Sequence, residues 1–77
     1  MSLKELDLVA LRTDLPAWGL VIGDVGTVVL VYGEGQAYEV EFVAADGRTV
    51  AVETLAPSQI EPVAGHEILH VRKPAVA

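Results

Sequence analysis

The sequence predicts an all-β fold, a small five-stranded antiparallel barrel followed by a strand-like C-terminal extension. Two observations predict it: short runs rich in β-branched and aromatic residues, and turn signals containing glycine or proline between those runs. The 77 residues are enough for one domain with a modest core. We place the barrel in residues 1–64 and the extension in residues 65–77.

The first two predicted strands flank a long irregular loop. Residues 7–12 form a short apolar run, and Pro16 then forces the backbone before it toward an extended conformation, which opens a loop over residues 13–23. Residues 24–32 concentrate β-branched side chains around Gly26, which predicts the central, strongly curved strand. Three apolar loop residues are expected to pack against the barrel: Leu15, Leu20 and Ile22.

A first hairpin is predicted next. Gly33 and Gly35 supply the backbone freedom for a tight turn into residues 37–43, where polar and apolar side chains alternate. The alternation points Glu39 and Glu41 toward water. It also completes the predicted core: Leu11, Val28, Tyr38, Val40, Phe42 and Leu55.

A second hairpin turn is predicted at the Asp-Gly pair of residues 46–47. The strand that follows, residues 48–55, is apolar on both faces, which predicts a covered strand. After a 3₁₀ turn at residues 57–59, residues 60–63 can form only a brief edge strand, because Pro62 has no amide hydrogen to donate.

The extension alternates from His66 to Val71 and is predicted to be a surplus strand. A hydrophobic fraction of 52 % and the absence of cysteine favour self-association as the means of stabilising so small a domain. We therefore predict a homodimer in which the extension pairs with a second copy, with pairing inside its own barrel as the alternative. The predicted interface residues are Ile68, Leu69 and Val71.

Several short motifs follow one another along the chain. They are Leu6-Asp7 with Val9 and Leu11, Asp14 to Pro16, Gly19-Leu20, Gly23 to Val29, Tyr38 to Phe42, Asp46-Gly47 and Gln59 to Val63. As a set they resemble a small bacterial domain family of uncharacterised function, and the match covers about three quarters of the chain. The resemblance implies a fold and no established activity, and the segment from Ala64 onward lies outside it.

The same order of elements is similar to that of SH3 domains, which implies an SH3-like barrel. Proline-rich ligands of SH3 domains dock on a floor of aromatic rings. Here Arg12 stands where a ring is expected, and Gln59-Ile60 lacks the tyrosine that normally ends the 3₁₀ turn. The resemblance therefore implies the SH3-like fold but not a conventional groove for proline-rich peptides.

The charge pattern disfavours nucleic acid and membrane partners. The formal net charge is −6, and Arg48 is the only basic residue between Thr13 and Val71. Nucleic-acid affinity rests on Lys and Arg displacing counterions from phosphates. The N-terminus lacks the basic start and apolar stretch of a signal peptide, and no run of about 18 apolar residues exists, so we expect a cytoplasmic protein.

No catalytic constellation is recognisable, so we expect neither an enzyme nor a cofactor. Ser2 and Ser58 have no nearby histidine or acid to activate them. The glycines of residues 23–26 lack the spacing of a phosphate loop, and we interpret them as structural, with Asp24 bonding the turn before the strand. Paired carboxylates on one strand face can bind a cation, yet such a pair is more often a solvated face.

Three other side chains have alternative roles. His66 and His70 are four residues apart and share one side of a helix or one face of a strand, but two ligands do not complete a metal site, and ordinary surface histidines are the simpler interpretation. Trp18, the lone tryptophan, either folds over one end of the barrel or anchors a partner.

Two hypotheses about function remain. The first is a non-catalytic protein-interaction module that binds a basic partner protein, as the small regulatory half of a two-protein bacterial system. The second is an accessory domain that binds a metal or small molecule through His66, His70 and neighbouring carboxylates. The first predicts a basic protein that co-purifies, and the second predicts a ligand retained through purification.

We expect no useful affinity for DNA or RNA at physiological salt, because nine acidic residues and one basic residue lie between Thr13 and Val71. Fluorescence anisotropy with random duplex and single-stranded probes measures this directly. Micromolar binding with a steep salt dependence would contradict the expectation.

Overall fold

The structure is a computed structural model and describes residues 2–63. Within this range the chain is all-β, with two 3₁₀ turns and no α-helix. No helix there has the length and apolar character that a membrane span requires. The strands are β1 (Leu8–Leu11), β2 (Val25–Tyr32), β3 (Ala37–Val43), β4 (Thr49–Leu55) and β5 (Ile60–Val63), and the turns are Pro16–Trp18 and Pro57–Gln59.

All five strands are antiparallel neighbours in one sheet, in the order β4-β3-β2-β1-β5. β2 is central, as predicted, because its first residues pair with β1 and the rest of the strand pairs with β3. The order leaves β4 and β5 as the two edges. The all-β fold is therefore confirmed, whereas closure of the sheet into an SH3-like barrel stays a prediction, since no ladder within residues 2–63 joins β4 to β5.

The core is a single cluster on the inner side of the sheet. All six predicted core residues belong to it, and the complete set is Leu3, Val9, Leu11, Val28, Tyr38, Val40, Phe42, Leu55 and Ile60. Every strand contributes, including both edge strands. A single sheet can bury one face in this way only if it is curved enough for side chains from its two edges to meet.

Gly26 marks the position where this curvature requires a residue without a side chain. It is buried opposite Val9. A Cβ atom at this position would lie 2.6 Å from Val40 Cγ1, 2.8 Å from Phe42 Cε1 and 2.9 Å from the Glu41 carbonyl oxygen. These distances are shorter than van der Waals contact, so the glycine lets β2 and β3 approach beside the buried side chains of Val40 and Phe42.

The long loop is fastened partly as predicted. Leu15 and Leu20 bridge to each other and pack against the core. Asp24 accepts a hydrogen bond from the Val21 amide (3.0 Å), which confirms its predicted role in the turn before β2. Ile22 was expected to pack as well, and that expectation is wrong: its side chain is 63 % exposed. Its amide instead donates to the Asp14 carboxylate (2.9 Å), so a backbone bond holds that part of the loop.

The predicted covering of β4 is also wrong. Val50 and Val52 are exposed, because β4 is an edge strand and no other element of residues 2–63 lies on that side. Both faces of β4 are apolar in sequence, yet only Ala51 and Leu55 are buried. Apolarity on both faces therefore does not indicate burial in this strand.

Replacing Phe42 with alanine is expected to lower the free energy of unfolding by about 3–5 kcal/mol, since the ring is 2 % exposed at the centre of the only core cluster in the described chain. This loss approaches the whole stability of a domain this small. Thermal and urea unfolding followed by circular dichroism measure it. Val43→Ala, at the exposed neighbouring position, is the control and should change stability by no more than about 0.5 kcal/mol. An unchanged melting point for Phe42→Ala would contradict the packing described here.

Gly26→Ala is expected to destabilise the fold by about 1–3 kcal/mol, because the new methyl group would push apart Val40 and Phe42. Gly47→Asn is the matched control. Gly47 has a positive φ of 90°, which asparagine tolerates better than most residues, and no atom lies within 4 Å of the position of its Cβ. Equal urea midpoints for Gly26→Ala and the unaltered protein would refute the close approach of β2 and β3.

Candidate functional site

The alternation of β3 places the core and a candidate surface on the same strand. Tyr38, Val40 and Phe42 point inward and are buried. Glu39 and Glu41 point to the opposite side and are half-buried. The two carboxylates are therefore held by a strand whose other side is fixed in the core.

The neighbouring strands flank each carboxylate with a defined pair of residues. Glu39 lies between Leu30 of β2 and Thr54 of β4, and Glu41 lies between Thr27 and Val52. We call this side of the three strands the outer face, and its side chains are Thr27, Leu30, Tyr32, Glu39, Glu41, Val43, Thr49, Val52 and Thr54.

Threonines of β4 hold both carboxylates in place. Thr54 donates its hydroxyl hydrogen to Glu39 Oε1, and Thr49 donates to Glu41 Oε2 at 2.7 Å. Within residues 2–63 the second oxygen of each carboxylate receives no hydrogen bond. Each glutamate is thus oriented by one oxygen and offers the other to solvent.

Exposed apolar side chains stand among the threonines around the carboxylates. Leu30 is 43 % exposed, Val52 is 45 % exposed and Val43 is 51 % exposed, and the exposed fraction of Tyr32 is 39 %. Two register shifts add to this surface: the irregularity in β2 leaves Val29 exposed, and the one between β3 and β4 leaves Val50 exposed. The outer face therefore combines exposed apolar side chains and threonines with two carboxylates in its middle strand.

No cation of the described chain neutralises these two carboxylates. Arg48 is bound to Asp46 at 2.8 Å, and Lys4 lies 4.0 Å from Asp7. The Asp46 carboxylate accepts hydrogen bonds from the Arg48 backbone N–H, which has the larger effect, and from the Arg48 guanidinium. These bonds lower the pKa of Asp46 below its ordinary value. Arg12 follows β1 and forms no ion pair within residues 2–63.

Trp18 lies at the surface, 47 % exposed, at the end of the first 3₁₀ turn. Leu15 and Leu20, rather than the indole, connect this loop to the core. The neighbouring loop residues Val21 and Ile22 are exposed as well. The structure thus places Trp18 where it is accessible, and it does not bring the indole to the outer face.

A cavity of about 440 Å³ lies between the N-terminal segment and β5, next to the last described residue, Val63. Apolar side chains, among them Leu3, Leu6 and Leu8, dominate its lining, and Asp7 is the only one of residues 2–63 that lines it and can ionise. One oxygen of that carboxylate already accepts a hydrogen bond from the Lys4 amide at 2.9 Å. Residues 2–63 supply this cavity with no pair of groups suited to acid-base chemistry.

The remaining predicted site residues lie outside the described residues. They are the histidines His66 and His70 and the interface residues Ile68, Leu69 and Val71. Within residues 2–63 no group of three or more metal-ligating side chains comes together.

Sequence reasoning identified the two glutamates of the outer face and missed the residues around them. Thr49, Thr54, Leu30 and Val52 belong to predicted strands, yet nothing in the sequence shows which of them stand beside a carboxylate. That information lies in the pairing register, which the irregularity after Val28 shifts by one residue. The placement of the β2 bulge would have supplied it for Leu30, and the β3–β4 register, which shifts between Phe42 and Val43, would have supplied it for the residues of β4.

Comparison with known proteins gives a family and no activity. No curated protein and no solved structure matches the chain. Residues 5–62 match a family described as a domain of unknown function, DUF4926. The matched range begins before β1 and ends within β5, so it contains the complete outer face. The chain therefore belongs to the DUF4926 family of domains of unknown function.

Proposed function

We propose that this protein is a non-catalytic protein-interaction module whose outer face binds a basic partner protein. The observation that carries the proposal is the pair of oriented carboxylates, Glu39 and Glu41, which no cation of residues 2–63 neutralises, on a surface that also exposes apolar side chains. Charges of one sign within an apolar patch are typical of a surface that selects a partner of the opposite charge.

The geometry supports binding of Lys or Arg side chains. The open oxygen of each glutamate can accept a hydrogen bond from an ammonium or guanidinium group, and such charge-assisted bonds are about twice as strong as neutral ones. Leu30 and Val52 stand beside these carboxylates and would cover the aliphatic stem of the incoming side chain. A partner with basic residues among apolar ones fits this surface.

The outer face is also preorganised for binding. The threonine bonds restrict the rotamers of Glu39 and Glu41, and the inward side chains of β3 anchor the strand in the core. Less conformational entropy is lost on binding when side chains are already ordered. This order favours a binding role for the carboxylates over a merely solvated face.

The charge of the whole chain strengthens the preference. Residues 2–63 contain ten acidic and three basic residues, so the field around the domain attracts a basic protein during diffusion. A small acidic module that binds a basic protein suits the regulatory half of a two-protein bacterial system in the cytoplasm. In that arrangement the outer face would cover a basic surface on which the partner's own activity depends.

The test compares two double variants with the same change in charge. Glu39→Gln with Glu41→Gln removes both carboxylates of the outer face, and Glu34→Gln with Glu61→Gln removes two exposed carboxylates elsewhere. Quantitative mass spectrometry of proteins captured from the native host should show a basic protein retained by the control pair and lost from the outer-face pair. Calorimetry with that purified partner should then give binding weaker by about tenfold or more for the outer-face pair.

Three results would contradict the proposal. Equal affinity for both double variants would remove the carboxylates from the interface, and capture of an acidic partner would reverse the charge argument. Loss of binding on Trp18→Ala alone, with both double variants unaffected, would move the interface to the long loop.

Added salt should weaken binding of the basic partner, because part of the electrostatic attraction is screened.

A further inference from the structure

The two edges of the sheet differ in how they are protected against pairing with another strand. β5 has four residues and contains Pro62, and Glu61 beside it is exposed. β4 has seven residues, Thr49–Leu55, and contains no proline, glycine or lysine. Short length, proline and charge are the features that normally prevent edge-to-edge association, so among residues 2–63 β5 is protected and β4 is open.

The side chains of β4 leave its free edge accessible. Thr49 and Thr54 donate their hydroxyl hydrogens to glutamates of β3, so both side chains turn toward the interior of the sheet. Val50 is 36 % exposed and Val52 is 45 % exposed. Glu53 is the only charged residue of the strand. Along the free edge, backbone groups and methyl groups therefore predominate.

We propose that β4 is the seam of a homodimer, in which it pairs antiparallel with β4 of a second copy about a two-fold axis at Val52. This register places Val52 opposite Val52 of the second copy, and Ala51 opposite Glu53, so no two carboxylates stand directly opposite each other. Residues in direct opposition must lie on the same face of a continuous sheet, and the register satisfies this condition at Ala51, Val52 and Glu53. The irregularity between β3 and β4 limits the pairing to this central part of the strand, since it places Thr49 on the outer face whereas Leu55 is buried.

A second copy fits this edge better than a different strand does. The centre of β4 is apolar and its one carboxylate opposes an alanine, so the strand is complementary to itself in the two-fold register. One contact protects both open edges at once and gives a closed assembly. A domain of 77 residues without cysteine also gains stability from association, since its own core is small.

This inference goes beyond the proposed function and does not depend on it, because dimerisation uses the β4 edge and leaves Glu39 and Glu41 in the middle of the outer face. The two associations also respond oppositely to salt. Two copies with a net charge of −6 each repel one another, so added salt should strengthen the dimer while it weakens binding of a basic partner.

Cysteine cross-linking of the full chain tests the register. The protein has no cysteine, so a disulfide in a single-cysteine variant can form only between two copies. Directly opposed residues of an antiparallel pair are close enough for a disulfide after small adjustments. Val52→Cys should cross-link readily in air at micromolar concentration. Val29→Cys, an equally accessible control on β2, should remain largely uncross-linked. Equal cross-linking rates for the two variants would overturn the proposal.

Analytical ultracentrifugation of full-length variants measures the association itself. The unaltered chain should sediment as a dimer, and Val52→Lys should raise the dissociation constant about tenfold or more, because it places a lysine on the edge and opposite another lysine. Val29→Lys should remain dimeric. Circular dichroism checks that both variants are folded, which is expected because both side chains are exposed.

The same measurement separates β4 from the C-terminal extension. Ile68→Lys with Leu69→Lys removes two of the three interface residues predicted from the sequence. A dimer that survives this change and is lost with Val52→Lys supports the β4 seam. A dimer that the Ile68 and Leu69 changes abolish assigns the interface to residues 66–71 and overturns the proposal, as does a monomeric unaltered chain.

Discussion

The close approach of β2 and β3 at Gly26 is the constraint on which the rest of the structure depends. With no Cβ on Gly26, the ring of Phe42 and the methyl groups of Val40 can occupy space that any other residue would fill. Residues 2–63 form no second layer that covers the sheet, so its curvature must bring the edge strands over their own core. A buried glycine opposite large apolar side chains is how this sequence makes that curvature possible.

The side chains of the outer face are ordered because of the same packing of β2 against β3 at Gly26. Because β3 is anchored by Tyr38, Val40 and Phe42, its outward residues are fixed in position and spacing. The threonine bonds from β4 then set the rotamers of the two carboxylates. Core packing and surface recognition are therefore not separable along this strand. A change that loosens the core should also make the positions of the two carboxylates on the other side less well defined.

Local sequence patterns predicted most of the fold and only part of the candidate site. The alternation of residues 37–43 and the turn residues on either side determine β3 to the residue, because period and backbone freedom are local properties. The covering of β4 and the packing of Ile22 were mispredicted, since an apolar side chain does not specify what lies above it. The flanks of Glu39 and Glu41 depend on register, which the β2 bulge changes without a distinct local signal.

The β4 seam and the outer face have a geometric relation that follows from strand pleating. Val52 belongs to both, since its side chain points to the outer face while its backbone lies on the sheet edge. A two-fold axis perpendicular to the sheet would place two outer faces side by side on one continuous ten-stranded surface. The four carboxylates would then stand in two pairs on the same side. A partner with two basic segments could engage both pairs, and the second contact would form at a high effective concentration. Dimerisation would in this way raise affinity for such a partner without any new side-chain contact.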